Sequence, residues 1–283
     1  MTVKRLSLAA VYVVLLTYAA ITLVPFLYMI LGALKTKVDF GESLFFPSGE
    51  GLFGVAWDRL SLDNFKRLFL EFDINRAMIN SIFIASVHAV GSTLLSAMAG
   101  FGLAKLRFPG RSLVLGLVLA SLIIPGPLLL APGFKLLYQL GLLDTYAGLL
   151  IPGLVPAFGI FLFRQAIIRG VPTEMVEAAR LDGAGDIRIF FEIALPLVRP
   201  MVGAFLLISF LGGWNNFVGP QIILQSPELH PLSVALNNLR GTYGVDYTLV
   251  LSGTVVSIAP VMALFLLLQK EFISGLTSGA VKG

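Results

Sequence analysis

The sequence predicts an all-α integral membrane protein with six transmembrane helices, and three observations carry the prediction. Apolar residues fill 57% of its 283 positions and charged residues only 13%, against roughly 25% charged in globular domains. The mean hydropathy is +0.91. The third observation is where charge is missing: no Asp, Glu, Lys or Arg occurs in 6–34, 77–104, 112–134, 145–163, 200–227 or 247–269, and the next longest gap is eleven residues. A charge at the bilayer centre costs about 2.5–3.5 kcal/mol, and a spanning helix needs about 17–25 mostly apolar residues. Each window therefore fits one span of a single membrane domain over 1–283.

The first window follows Lys4 and Arg5, but its 29 residues exceed the apolar region of about 7–15 found in a cleavable signal peptide, so it reads as a retained helix. The long loop after it holds Asp63-Asn64-Phe65, then Lys66, Arg67, Leu68 and Phe69, which predicts a short amphipathic helix on the membrane surface. The second span carries Asn80 and His88. Pro125, Pro127 and Pro132 break the third span, Pro152 and Pro156 break the fourth, and Gly212 and Gly213 loosen the fifth beside Trp214, Asn215 and Asn216. Freed backbone groups in lipid are tolerated only where protein or a water-filled cavity satisfies them, so broken helices with buried amides suit a translocation pathway built from Asn80, His88, Trp214, Asn215 and Asn216. Prolines common in membrane helices and asparagines pairing between helices explain the same residues without a pathway.

Six spans put both termini on one side. That side carries twelve Lys and Arg residues; the other carries eight, six of them between Lys35 and Arg76 among seven acids. The bias places both termini in the cytoplasm.

Composition excludes several functions. There is no Cys, so no thiolate metal site or cysteine nucleophile exists, and no metal-ligand cluster is visible. The net charge of +4 is scattered through loops with no basic, aromatic-interleaved run, which argues against nucleic acid. With two histidines, no HExxH and no paired carboxylates, catalysis has no home. No Gly-Lys dipeptide occurs, so no phosphate-cradling loop is present. The windows lack the Asp, Glu or Lys that a proton- or ion-coupled carrier usually places within its spans, which argues against secondary transport but leaves sodium sites built from backbone carbonyls open. Energy for uphill transport would have to arrive from another subunit.

The loop from Arg164 to Arg199 is where such a subunit could push. Pro172 and Thr173 open a first helix, with Thr173 placed to cap it and Glu174 and Glu177 toward its positive end. Asp182-Gly183 breaks it. A second helix follows, with Ile187, Phe190, Phe191, Ala194 and Leu195 on one face, until Pro196 ends it. Five arginines meet five acids in this loop, a mixture suited to a protein surface rather than to anionic lipid.

Glu177-Ala178-Ala179, then Gly183, then after nine residues Ile193, Leu195 and Pro196, resembles the EAA motif of permease subunits in bacterial ABC importers. The likeness extends through VPTEMVEAARLDGAGDIRIFFEIALPL, FLFRQ (Phe161 to Gln165), Trp214-Asn215 and the closing GLTSGAVKG, covering nearly the whole chain. It looks like the MalG-type, carbohydrate-uptake branch of binding-protein-dependent importers. The resemblance implies the type I importer permease fold (MetI-like), a second MalF-type permease, two copies of a cytoplasmic ABC ATPase that hold ATP and Mg, and an extracytoplasmic sugar-binding protein. It implies no cofactor on this chain and a place in a bacterial or archaeal cytoplasmic membrane, in contact with its lipid. Thr173 to Leu181 would be the coupling helix seated on the ATPase, with Glu174, Glu177, Ala178, Ala179, Asp182 and Gly183 as the coupling residues and the Phe190/Phe191 face passing the displacement to the bundle. Gln225 to Asp246, with His230, Asn237, Asn238, Arg240 and Tyr243, corresponds to a loop that reaches the binding protein in maltose-type permeases. Competing expectations are an ion-driven carrier or channel acting alone, a scaffold that recruits a soluble protein, and, among importers, glycerol phosphate or another polyol as cargo.

Overall fold

A computed structural model describes the backbone of residues 2–240 and 245–280, and the regular structure among the described residues is helical apart from one isolated bridge, Ser48 to Val55. Tyr243 and Lys282 lie outside them. Helix α1 runs Thr2–Leu34, α2 Lys37–Glu42, α3 Asp63–Glu71 and α4 Ile74–Lys105. They are followed by α5 Arg111–Ser121, α6 Leu130–Gln139, α7 Tyr146–Leu150 and α8 Ala157–Gly170. The segment between the fourth and fifth spans holds α9 Thr173–Leu181, α10 Asp186–Ile189, a π-helical turn Phe190–Ala194 and α11 Leu195–Leu197. The remainder is α12 Arg199–Trp214, α13 Val218–Ile223, α14 Leu232–Asn238 and α15 Tyr247–Ala280.

Three stretches are long and apolar enough to cross a membrane unbroken: Ala10–Leu34, Ile74–Lys105 and Tyr247–Lys270. Three further pairs are bent: Arg111–Ser121 with Gly126–Gln139 by 100°, Tyr146–Gly153 with Ala157–Gly170 by 43°, and Asp186–Leu197 with Arg199–Trp214 by 85°. Counting each bent pair as one span gives six. The breaks fall at Pro125 and Pro156, as their missing N–H and fixed φ require. The fifth break differs from expectation. α12 runs straight through Gly212 and Gly213 and stops after Trp214; Gly213 lies where the helix meets α4, and a Cβ there would lie 3.1 Å from the Ala85 backbone.

Within the described residues the chain forms two compact units, one made of 2–75 with 235–240 and 245–259, the other of 76–234 with 260–280. In the first, the amphipathic helix predicted at Asp63 is present, and its inward face carries Asn64 and Leu68. The Asn64 amide donates to the carbonyls of Ala33 (2.9 Å) and Lys35 (2.7 Å), closing the C-terminal end of α1, while its oxygen accepts from Thr248 (3.3 Å).

The second unit is built on α4, whose buried face is rich in small residues: Ala85, Ala89, Ser92, Ser96, Ala97 and Gly100. Without a hydrophobic force between helices in lipid, close backbone approach through small residues is what packs them. A Cβ at Gly100 would lie 2.8 Å from the Arg164 nitrogen and from the Phe163 Cβ, and one at Gly159 would lie 2.5 Å from Ser96 Oγ and the Phe205 ring. On this seam sits the main core: Ala97 and Phe101 of α4, Phe163 and Ile167 of α8, Val176 of α9, Ile189, Phe190 and Ala194, and Phe205 of α12.

Candidate functional site

The α9–α10 elbow is formed by local rules. Pro172 precedes α9 in an extended conformation, so the helix starts at Thr173. Thr173 does not cap it: its hydroxyl accepts instead from Lys105 Nζ, at 3.0 Å, joining the end of α4 to the start of α9. At the other end Gly183 takes φ +83°, its N–H bonds to Arg180 O (3.0 Å), and Ala184 N–H reaches back to Ala179 O (2.9 Å). This is the Schellman arrangement, and only a residue without a Cβ adopts it at no steric cost. Arg180 then spans the elbow, its guanidinium 2.9 Å from Asp186 Oδ1.

The register fixes what each side of the elbow can touch. Val176 is buried in the core, whereas Glu174, Glu177, Ala178 and Leu181, spaced i, i+3, i+4 and i+7, are exposed on one face. Ala179 is half-buried and Asp182 exposed. Leu181 is 89% exposed, an apolar knob beside two carboxylates that periodicity did not single out.

The second helix of the loop departs from the expectation. Pro196 does not end it. Because Pro196 has no N–H to continue an α ladder, the turn before it widens: Leu195 N–H bonds to Phe190 O, one residue further than in an α-helix. The added residue rotates the face, so Ile189, Phe190, Ala194 and Val198 are buried while Ile187 and Phe191 are exposed. The expected Phe190/Phe191 pair is thus split, with only Phe190 in the core, packed on Phe101 at 5.7 Å.

The structure also divides the polar residues expected along a pathway. The His88 imidazole fits a notch between Gly153 and Gly213, where Cβ atoms would stand 3.1 and 3.5 Å from its ring. Trp214 is buried, stacked on Phe210 at 5.7 Å. Asn215 turns back to cap its own helix through Leu211 O (3.0 Å). Asn216 accepts from Gly219 N–H (3.2 Å) and borders a cleft of about 250 Å³, otherwise lined by apolar residues including Leu130, Phe134, Leu149 and Ile223.

Asn80 belongs to a different assembly. Its amide donates to Glu228 O (2.8 Å) and His230 O (3.0 Å), and its oxygen accepts from the Tyr146 hydroxyl (2.8 Å). Next to it, Ser81 Oγ accepts from Leu232 N–H at 2.7 Å. Asp144, at φ +57°, accepts from the N–H groups of Gln225 and Ser226, each at 2.8 Å, and from the Ser226 hydroxyl. Those bonds, the hydroxyl's first, hold its carboxyl below the usual carboxylate range. Segment 224–232 is therefore clamped from two sides, with the His230 ring bonded at Nε2 to Leu224 O (3.1 Å). Of the residues expected to meet a binding protein, Asn238 and Arg240 are exposed and Asn237 is half-buried. Tyr146, Ser81 and Asp144 were not anticipated; the only signal was Asp144-Thr145 as a turn and cap before an apolar run, with Thr145 Oγ1 accepting from Gly148 N–H at 3.0 Å.

Residues 92–273 match the family described as the binding-protein-dependent transport system inner membrane component. The arabinooligosaccharides transport system permease protein AraQ of Bacillus subtilis is 36% identical, over 99% of this chain and 97% of its own length. The lactose transport system permease protein LacG of Rhizobium radiobacter is 32% identical, over 99% and 98%. The sn-glycerol-3-phosphate transport system permease protein UgpE of Brucella abortus is 31% identical, over 72% of each chain. Among solved structures, a chain of a bacterial ABC transporter involved in the import of the acidic polysaccharide alginate superposes with a TM-score of 0.81, at 23% identity over 95% of this chain and 97% of the other; the two share a fold.

Proposed function

We propose a carbohydrate cargo for this chain, which belongs to the family of binding-protein-dependent transport system inner membrane components. It is a multi-pass membrane protein and a non-catalytic permease subunit of an ABC importer. The observation that carries the cargo assignment is the near full-length likeness to permeases named for arabinooligosaccharides and lactose. The shorter match to a permease named for glycerol 3-phosphate keeps that polyol phosphate as the second reading.

In this proposal the chain pairs with a second, related permease. Two copies of an ABC ATPase, which bind ATP and Mg, sit against the exposed face of α9, and a sugar-binding protein docks on the opposite side. Both termini lie in the cytoplasm with the elbow. Glu174, Glu177, Ala178 and Leu181 meet the ATPase, with Glu177 the polar contact and Leu181 the buried anchor. ATPase closure displaces α9, and the core running through Val176, Phe190, Phe101 and Phe163 carries that displacement into α4 and α8. Asn216 and the cleft beside it belong to the translocation route, and Asn238 and Arg240 face the binding protein.

The test is uptake by the complex, purified with its co-isolating subunits and reconstituted in vesicles with its binding protein. ATP-dependent accumulation of labelled arabinooligosaccharide or lactose, and not of glycerol 3-phosphate, is the expected result. Accumulation of glycerol 3-phosphate alone would overturn the cargo, and uptake by this chain alone under an ion gradient would overturn the proposed partnership.

A further inference from the structure

The segment after α1 is fastened by polar bonds at both ends and displays apolar side chains between them. Lys35 is buried, and its ammonium donates to the carbonyls of Ser43 (2.8 Å) and Leu44 (3.1 Å). Arg59 pairs with buried Asp39, which is itself held by Thr36, the N-cap of α2. Ser61 N–H bonds to Leu34 O (2.9 Å), and Asn64 closes the Ala33 and Lys35 carbonyls. Leu34 is the last residue of a helix long enough to span, and Ile74 the first of the next. Residues 35–73 thus link the end of one candidate span to the start of the next.

Between the staples lies a tight turn. Gly49 N–H bonds to Gly54 O (3.0 Å) and Ala56 N–H to Pro47 O (2.9 Å); a side chain at Gly49 would strike Ala56. The turn closes through Phe53 at φ +63°, a conformation that a bulky L-residue adopts only when the surroundings impose it. The effect is to push Phe53 outward until it is 89% exposed, beside Leu52 at 70%. Leu44 is 69% exposed, and Trp57 packs on Phe46 at 5.4 Å while donating its indole N–H to Leu52 O (3.1 Å). Water gives no reason to build a strained turn that presents Leu and Phe.

We propose that Leu44, Phe46, Leu52, Phe53 and Trp57 form an interfacial anchor that inserts into the lipid leaflet at the C-terminal end of α1. The surface is continuous with a membrane interface already established, since α1 presents exposed Leu, Val, Tyr and Phe along the span that ends at Leu34. The side chains suit the headgroup–acyl boundary, where Trp concentrates and apolar wedges bury. The attraction is apolar rather than electrostatic: Glu42, Glu50 and Asp58 flank the patch, Lys35 and Arg59 are engaged by carbonyls and by Asp39, and exposed Lys37 is outnumbered by the three acids.

The chain has no cysteine, so a spin label can be placed at one position and the wild-type complex supplies the background. Phe53→Cys and, separately, Leu52→Cys are labelled in the full-length chain within its complex, reconstituted in phosphatidylcholine nanodiscs, with Asp58→Cys as reference. Relaxation by oxygen should exceed relaxation by a water-soluble nickel chelate several-fold at 52 and 53 and reverse at 58. Prevailing nickel access at 52 and 53 would mean an aqueous loop and overturn the anchor. Low access to both reagents with an immobilised spectrum would mean a protein-covered patch and overturn it equally. Adding anionic lipid should leave the depth at 53 unchanged; a depth that appears only with anionic lipid refutes the apolar mechanism.

Discussion

Asn80 holds His230 by its backbone: one side-chain amide bridges the carbonyls of Glu228 and His230, 148 and 150 residues away. Truncation strands both carbonyls and the Tyr146 hydroxyl, and an unmet partner in a part-buried site costs about 1–3 kcal/mol. Asn80→Ala should lower the apparent melting temperature in detergent and speed amide exchange of residues 228–232, leaving exchange in α9 as it was. Unchanged exchange at 228–232 would show that the clamp rests on Ser81 and Asp144 alone.

The α9 face makes a second prediction, which tests the coupling assignment. Burying a leucine contributes about 1.5–3 kcal/mol, so removing the Leu181 knob should weaken ATPase association by about ten- to a hundredfold. Leu181→Asp and Glu177→Lys should each reduce ATP-driven uptake and co-purification of the ATPase while membrane levels stay normal; both residues are exposed in the free chain, so folding is spared. Wild-type uptake in both variants would remove α9 from the coupling role.

Close packing along α4 makes a third. A methyl at Gly100 meets the backbone at Arg164 and the Phe163 Cβ at 2.8 Å, and neither end is a flexible tip that can move aside. Overpacking of this kind costs about 1–3 kcal/mol. Gly100→Ala should destabilise the chain measurably, whereas Gly212→Ala, with open space around its Cβ, should not. Equal melting temperatures for the two would show that α4 and α8 are free to separate.

The uneven legibility of these features has a physical cause. The spans could be read because charge is excluded from lipid whatever the tertiary structure, and the α3 and α9 boundaries because prolines, glycines and amphipathic spacing act locally. The Gly183 stop was readable for the same reason. The π turn was not: Phe191 and Phe190 occupy equivalent places in a helical pattern, and only the bond from Leu195 to Phe190 decides which one the core receives. Asn80 and His230 were assigned separate roles because an amide in a span carries no mark of the distant carbonyls it will meet. Leu181, exposed among acids, broke the apolar periodicity and so escaped notice.

Asp144 makes the last prediction, about pH. Its carboxyl is depressed chiefly by the Ser226 hydroxyl and N–H; burial opposes them, and Gln225 N–H and His230 add smaller depressions. A depressed carboxyl stabilises the fold above its unfolded value, about 3.9, and that stabilisation is lost as pH falls through the lower folded value. Protection of the Gln225 and Ser226 amides, corrected for intrinsic exchange, should therefore persist down to about pH 4 and fail only below it. Asp144→Ala should expose both amides at every pH. If the wild-type clamp already opens between pH 5 and 6, Asp144 is not the group that holds Gln225 and Ser226.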